Sequence, residues 1–93
     1  MRLTEKEITT IRETILDIDR AADIYLFGSR ADDRRSGGDI DLLIASDKLT
    51  DDDRRKIRLR LYDRLGEQKI DIVLAQNASE AFVRIAKAEG VRL

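Results

Sequence analysis

The stretch DIDLLIA, residues 39–45, places two carboxylates in an otherwise apolar run. Side chains alternate between the two faces of a β-strand, so Asp39 and Asp41 would share one face. The opposite, core-facing set would be Ile40, Leu42 and Ile44. The pattern therefore predicts a strand with one buried face and a pair of carboxylates on the other.

Two further apolar runs lie on either side of this stretch. IYLF, residues 24–27, is typical of a strand that ends at Gly28, and KIDIVL, residues 69–74, is typical of a third strand. The alternation in the third strand sends Asp71 to the face opposite its apolar residues. If the second and third strands are neighbours, three carboxylates converge on one side of the sheet. The alternation by itself is explained equally well by a solvent-exposed sheet face that carries unrelated aspartates.

Clustered carboxylates indicate a site for a hard cation. Like charges in neighbouring strand positions repel, and a cation would hold them ionised at neutral pH. The chain has no Cys and no His, which excludes thiol catalysis, His-based triads and the usual zinc sites. Ligation by oxygen alone, with coordination positions open to water and phosphate, suits Mg²⁺. We therefore expect Asp39, Asp41 and Asp71 to be metal ligands.

Helix signals alternate with the strands. Thr4 and Glu7 form a capping-box pattern, and a buried helical stripe is expected over Ile8, Ile11, Ile15, Ile18 and Ala22. Thr50 before three aspartates predicts a second helix that stops at Gly66. We expect a helical turn and loop over 29–38, a helix from Asn77 to Gly90 and an edge strand over 91–93. The prediction is one domain, residues 1–93, with an α/β (α+β) sandwich fold: a small mixed sheet of three to four strands, its helices mainly on one face.

Composition restricts the partners. The 93 residues carry 18 basic and 19 acidic side chains, a net charge of −1, and only four aromatic ones. Long nucleic acids usually require a basic excess and aromatic platforms, so a nucleic-acid partner is disfavoured. No stretch is apolar enough to span a bilayer, and the expected location is the cytoplasm.

A Gly-Ser pair at Gly28 and Ser29 follows the first strand. Free backbone N–H groups and a small hydroxyl can approach a phosphate at such a strand-to-turn junction. LFGSRA, residues 26–31, and GDIDLLI, residues 38–44, together resemble the signature of the minimal nucleotidyltransferases of the polymerase-beta-like superfamily. Asp71 matches the third carboxylate of that family by position and strand context. The resemblance extends over nearly the whole chain and implies the polymerase-beta-like nucleotidyltransferase fold.

The resemblance implies transfer of a nucleoside monophosphate, AMP being expected, from ATP or another nucleoside triphosphate to a hydroxyl. Two Mg²⁺ ions would be held by Asp39 and Asp41, and Asp71 would ligate the ion nearest the acceptor and help to deprotonate its hydroxyl. The residues implied to bind the nucleotide are Gly28, Ser29 and Arg30.

The spacer departs from the family pattern. Asp32 and Asp33 follow Ala31 where many relatives have Arg-Gly, and Gly38 stands where many have Ser. We expect both spacer aspartates to point away from a triphosphate. These departures put the affinity for the nucleotide and the identity of the preferred nucleotide in question, but they do not alter the three carboxylates.

Proteins that this chain resembles commonly pair with a small all-helical toxin of the HEPN class. The resemblance therefore implies an antitoxin that adds AMP to a tyrosine of a HEPN-type partner, with self-association left open. Two alternatives remain: a non-catalytic module that neutralises its partner by steric contact, and nucleotidyl transfer to a small molecule.

Overall fold

The computed structural model describes residues 3–28, 39–66, 68–75, 84 and 88–93. Two helices and four strands are found in these ranges, in the order α1 (Glu5–Leu16), β1 (Asp23–Phe27), β2 (Ile40–Ala45), α2 (Asp51–Leu65), β3 (Ile70–Ala75) and β4 (Val91–Arg92). The three predicted central strands are confirmed to within one residue at each end. No helix in these ranges is long and apolar enough to cross a membrane.

The strands form one mixed sheet in the order β3-β2-β1-β4. β1 pairs antiparallel with both β2 and β4, whereas β2 and β3 are parallel. A parallel pair needs a crossover connection, and α2 supplies it between β2 and β3. The predicted terminal edge strand is confirmed as β4, where the Leu93 N–H donates to the Ile24 carbonyl at 2.9 Å.

Both helices pack on the same face of the sheet, as predicted. Their fully buried side chains, Ile11, Ile15, Ile57 and Leu61, join the sheet residues Ile24, Leu26, Ile40, Leu42, Ile44, Ile70 and Ile72 in one core. A smaller apolar cluster lies on the opposite face and includes Tyr25, Leu43, Ala45 and Ala75. β2 is consequently buried on both faces over most of its length, and Asp41 is its only half-buried residue.

The helix starts follow from local side-chain chemistry. The Thr4 hydroxyl accepts from the Glu7 N–H at 3.1 Å, and the Glu7 carboxylate accepts from the Thr4 N–H at 3.0 Å. Thr50 and Asp53 make the same reciprocal pair at 3.2 and 2.9 Å. Each box satisfies N–H groups that the first turn of a helix leaves without partners. Gly66 ends α2 at a positive φ of 85°, which glycine adopts without steric penalty.

The prediction of one helical stripe from Ile8 to Ala22 is wrong in its second half, since α1 ends at Leu16. Ile18 and Ala22 still pack into the core, but from the turn that follows the helix. The cause is Asp19, whose buried carboxylate accepts from the Ala21 N–H at 3.0 Å and from the Ser46 hydroxyl. The bond to Ala21 is a local side-chain bond of the kind that competes with helical ones, and the bond to Ser46 ties the same carboxylate to the end of β2.

Two other predicted segments fall largely or wholly on residues that the structure does not describe. The turn and loop over 29–38 are outside the described ranges, and so is most of the segment from Asn77 to Gly90. Both remain predictions.

Candidate active site at the start of the parallel strands

Two of the predicted carboxylates lie side by side on neighbouring strands. Asp41 of β2 and Asp71 of β3 are register partners in the parallel pair. Register partners on adjacent strands project to the same face, with backbones about 5 Å apart. Asp41 is half-buried and Asp71 is exposed, so the pair faces solvent on one side. The convergence of these two side chains, left open by the sequence, is therefore found in the structure.

The third predicted carboxylate lies one pleat away on the same face. Asp39 immediately precedes β2, two residues before Asp41, and its Oδ2 lies 3.5 Å from the Nζ of Lys69. Lys69 immediately precedes β3, and its carbonyl accepts from the Ile40 N–H at 3.0 Å, which holds the starts of the two strands together. Asp39 is thus adjacent to the pair, but its carboxylate is directed towards an ammonium group.

Gly28 lies against the carboxylate pair from the other side. Phe27 is the register partner of Asp41, so the chain leaves β1 beside that aspartate. Gly28 has a φ of +67°, and a Cβ built on it would overlap Oδ2 of Asp41 and lie 3.4 Å from its Cγ. The glycine predicted for close approach to a phosphate therefore also makes room for a carboxylate. Ser29 and Arg30, the other predicted nucleotide-binding residues, lie outside the described ranges.

The electrostatics of Asp41 follow from this arrangement. Burial raises the pKa of its carboxyl above the ordinary 3.8, and the negative charges of Asp71 and Asp39 raise it further. A side-chain hydrogen bond with Asp71 acts in the same direction, whereas the Lys69 ammonium partly offsets these effects. The ionised form of Asp41 is therefore disfavoured by its neighbours, and a cation bound to the carboxylates would restore it.

These residues fit a magnesium ion in their chemistry. The donors are all carboxylate oxygens on a solvent-facing surface, which suits a hard ion that keeps waters and phosphate oxygens in its shell. Within the described ranges, no three acidic side chains are arranged so that they could hold a metal ion without moving. Asp39 would have to turn from Lys69 towards Asp41 to complete the set. The assignment of Asp39, Asp41 and Asp71 as ligands stays a prediction.

A mixed sheet of this order, with aspartates at the adjoining ends of its strands, has the architecture of a nucleotidyltransferase domain. A family model described as "Polymerase beta, Nucleotidyltransferase" matches residues 6–93. The chain therefore belongs to the polymerase-beta nucleotidyltransferase family, and nucleotidyl transfer is the class of activity that this membership supports. No curated protein matches the chain.

Lys69 was not predicted from the sequence as a neighbour of the carboxylates, although a signal for it was present. Lys69 precedes Asp71 by two residues, so strand alternation places both on the same face. A cation at that position beside an Asp-x-Asp strand indicates an ion pair, and the structure shows one with Asp39.

Proposed function

We propose that the chain transfers a nucleoside monophosphate, in the first instance AMP, from a Mg²⁺-bound nucleoside triphosphate to a hydroxyl group. The observation that carries the proposal is the register pairing of Asp41 with Asp71, beside Asp39 and Gly28, in a chain of the nucleotidyltransferase family. Two Mg²⁺ ions bound by carboxylate oxygens would stabilise the negative charge on the attacking and leaving oxygens.

The side chains divide into two roles. Asp39 and Asp41, on the central strand, would hold the metal that binds the triphosphate, while the turn after Gly28 would approach the phosphates. Asp71, exposed on the outer strand, would accept the proton of the acceptor hydroxyl. The acceptor oxygen would then bond to the α-phosphorus as the bond from that phosphorus to the leaving pyrophosphate breaks.

We propose a protein as acceptor, namely a tyrosine of a small helical HEPN-type toxin, with the chain acting as an antitoxin. The family resemblance supports this choice. Asp71 is exposed to solvent, so an acceptor hydroxyl carried by a second chain could approach it.

The test is incubation with α-phosphate-labelled ATP and Mg²⁺ in a lysate of the source cell, read as label on a denaturing gel. We expect one labelled protein band with the native chain and none with the double variant Asp39→Asn, Asp41→Asn. The matched control is Asp47→Asn, Asp52→Asn, which removes two exposed carboxylates elsewhere. Label that persists in the Asp39, Asp41 variant would reject the site. A stable partner complex without label, indifferent to ATP, Mg²⁺ and both variants, would favour the steric binding module.

A further inference from the structure

One side of α2 carries exposed residues that the fold does not use. Ile57 and Leu61 bury the inner side of the helix, and Arg60 and Arg64 pair with Asp17 and Glu13 towards α1, at 3.7 and 3.0 Å. Asp51, which pairs with Arg54 at 3.6 Å, lies on the remaining side at the start of the helix. The same side presents Arg55, Arg58, Leu59 and Tyr62, which at helical spacing form an arc of about 100°. We call these four residues the α2 strip.

The two arginines of the α2 strip have no ionic partner in the described part of the chain. Four of the described ion pairs use other arginines, at positions 54, 60, 64 and 92, and the fifth uses Lys69. The side chains of Arg55 and Arg58 make no hydrogen bond or ion pair with any described residue. Two positive charges on one helix face are thus available to a negatively charged partner.

The same strip exposes apolar surface. Leu59 is 69% exposed and Tyr62 is 49% exposed. The other large exposed hydrophobic among the described residues is Val73, on β3 two residues beyond Asp71 and on the same face. Val73 points to the sheet face opposite α2, so the exposed apolar surface of the strip is that of Leu59 and Tyr62. Arginine and tyrosine beside exposed aliphatic groups form a surface composition typical of protein interfaces.

A groove runs from the strip to the start of β3. It is lined by Arg58 and Tyr62 on the helix and by Gln68, Lys69 and Ile70 on the chain entering β3. Lys69 is the residue whose ammonium lies 3.5 Å from the Asp39 carboxylate. The groove thus extends from the α2 strip to the residue that pairs with Asp39.

The order of the strands indicates whether the nucleotide or the acceptor would approach the carboxylates from the side of the groove. Gly28, implied to approach the triphosphate, lies on the β1 side of Asp41, whereas Asp71 lies on the β3 side. The groove also opens on the β3 side. It therefore lies on the side of the carboxylate assigned to the acceptor, and Gly28 does not line it.

We propose that the α2 strip and its groove are a docking surface for an acidic segment of the polypeptide that receives the nucleotide. The inference rests on the proposed function in taking the acceptor to be a protein. Acidic side chains of that segment pair with Arg55, Arg58 and Lys69, and an apolar residue packs on Leu59 and Tyr62. A nucleic-acid strand carries a charge on every nucleotide and is a poorer match, because Asp63 and the three aspartates of the first turn interrupt the positive charge along α2. A short acidic segment needs only the charges of Arg55, Arg58 and Lys69 between them.

The first test measures binding alone, without ATP or Mg²⁺, by fluorescence anisotropy. The probe is a fluorescein-labelled random copolymer of glutamate and tyrosine, compared with single-stranded polyuridylate. We expect the native chain to bind the copolymer, and the variant Arg55→Glu, Arg58→Glu to bind it about tenfold more weakly. The charge-matched control, Arg20→Glu, Arg60→Glu, alters two exposed arginines on the α1 side and should change affinity by less than about threefold.

A second variant, Leu59→Ser with Tyr62→Ser, leaves the charge unchanged and should also weaken binding. Native-like circular dichroism of each variant shows that the fold is retained. Equal loss in the two charge variants, tighter binding of polyuridylate than of the copolymer, or no binding of the copolymer by the native chain would each overturn the proposal.

The second test adds labelled ATP and Mg²⁺ to the same copolymer. Asp39→Asn, Asp41→Asn should bind the copolymer at least as tightly as the native chain does, because Asp39 no longer neutralises Lys69, but should transfer no label. Binding that depends on Arg55 and Arg58 without label from the native chain would reject the transfer to tyrosine and keep the docking surface. Label that the Arg55, Arg58 variant transfers as well as the native chain does would reject the docking surface and keep the transfer.

Discussion

The backbone of Gly28 lies so close to the Asp41 carboxylate that any Cβ at position 28 would overlap Oδ2 of that aspartate. The position of Asp41 in β2 therefore requires glycine at position 28, directly after β1. A second described glycine, Gly66, also has a positive φ, but a Cβ there would meet no atom within 4 Å. An alanine at position 66 therefore carries only the cost of the backbone conformation. An alanine at position 28 carries in addition the cost of displacing the Asp41 carboxylate.

We expect Gly28→Ala to lower stability and to abolish label transfer, because the new methyl group pushes Asp41 out of line with Asp71. Gly66→Ala should cost on the order of 1 kcal/mol of unfolding free energy, from its backbone conformation alone, and leave transfer unchanged. Urea unfolding and the labelling assay measure the two effects. If Gly28→Ala transfers as much label as the native chain does, the close approach of Gly28 to Asp41 is not needed for activity.

Asp41→Asn should raise the melting temperature in metal-free buffer near neutral pH. The raised pKa of Asp41 shows that its neighbours oppose its charge, and the amide removes that charge without changing the size of the side chain. Addition of Mg²⁺ should raise the melting temperature of the native chain by mass action and have a smaller effect on the variant. Asp47→Asn is the control and should respond to Mg²⁺ as the native chain does.

The capping carboxylate of Asp53 should make stability depend on pH. Its hydrogen bond from the Thr50 backbone N–H lowers its pKa below the ordinary 3.8, so it stabilises the fold above that value. The stabilisation is lost as the pH falls through the lower folded-state pKa. Urea midpoints of Asp53→Ala and of the native chain should therefore differ near pH 6 and converge in strong acid. Asp52→Ala, in the same first turn without the capping bonds, should show a smaller difference, and an equal one would contradict the capping role.

Ser46→Ala should destabilise the fold by about 1–3 kcal/mol and leave nucleotidyl transfer unchanged. The Ser46 hydroxyl donates to the buried Asp19 carboxylate and accepts from the N–H groups of Lys48 and Leu49, both at 3.1 Å. Its removal leaves several buried polar groups short of a partner at the end of the sheet remote from Asp41. Thr9→Ala, at an exposed helical position, is the control for urea unfolding and should change stability little.

The strands and helix starts could be predicted from sequence because their determinants are local. Alternation around Asp41 and Asp71 depends on the two-residue repeat of a strand, and the Thr4–Glu7 box spans one turn. The end of α1 could not be predicted in this way, since it depends on a bond between Asp19 and Ser46, which are far apart in sequence.

Only part of the site could be predicted from the sequence, because several of its contacts join residues that are far apart in the chain. The facing of Asp41 and Asp71 depends on the register of two strands that α2 separates, and no local pattern sets that register. The Asp39–Lys69 ion pair is a consequence of the same register. In the sequence, the α2 strip is indistinguishable from solvated charge, because its connection to the start of β3 through the groove exists only in three dimensions.

The burial of β2 on both of its faces has a consequence for how the site would take up a metal ion. Leu42 and Leu43 are consecutive and both essentially inaccessible to solvent, so this strand is held from above and below. Its amide hydrogens should be among the slowest of the chain to exchange with deuterium. The carboxylates of Asp39 and Asp41 are therefore attached to a stiff support, and ion binding need only reorient side chains. For these two ligands, the entropy lost on binding would be that of a few side-chain torsions.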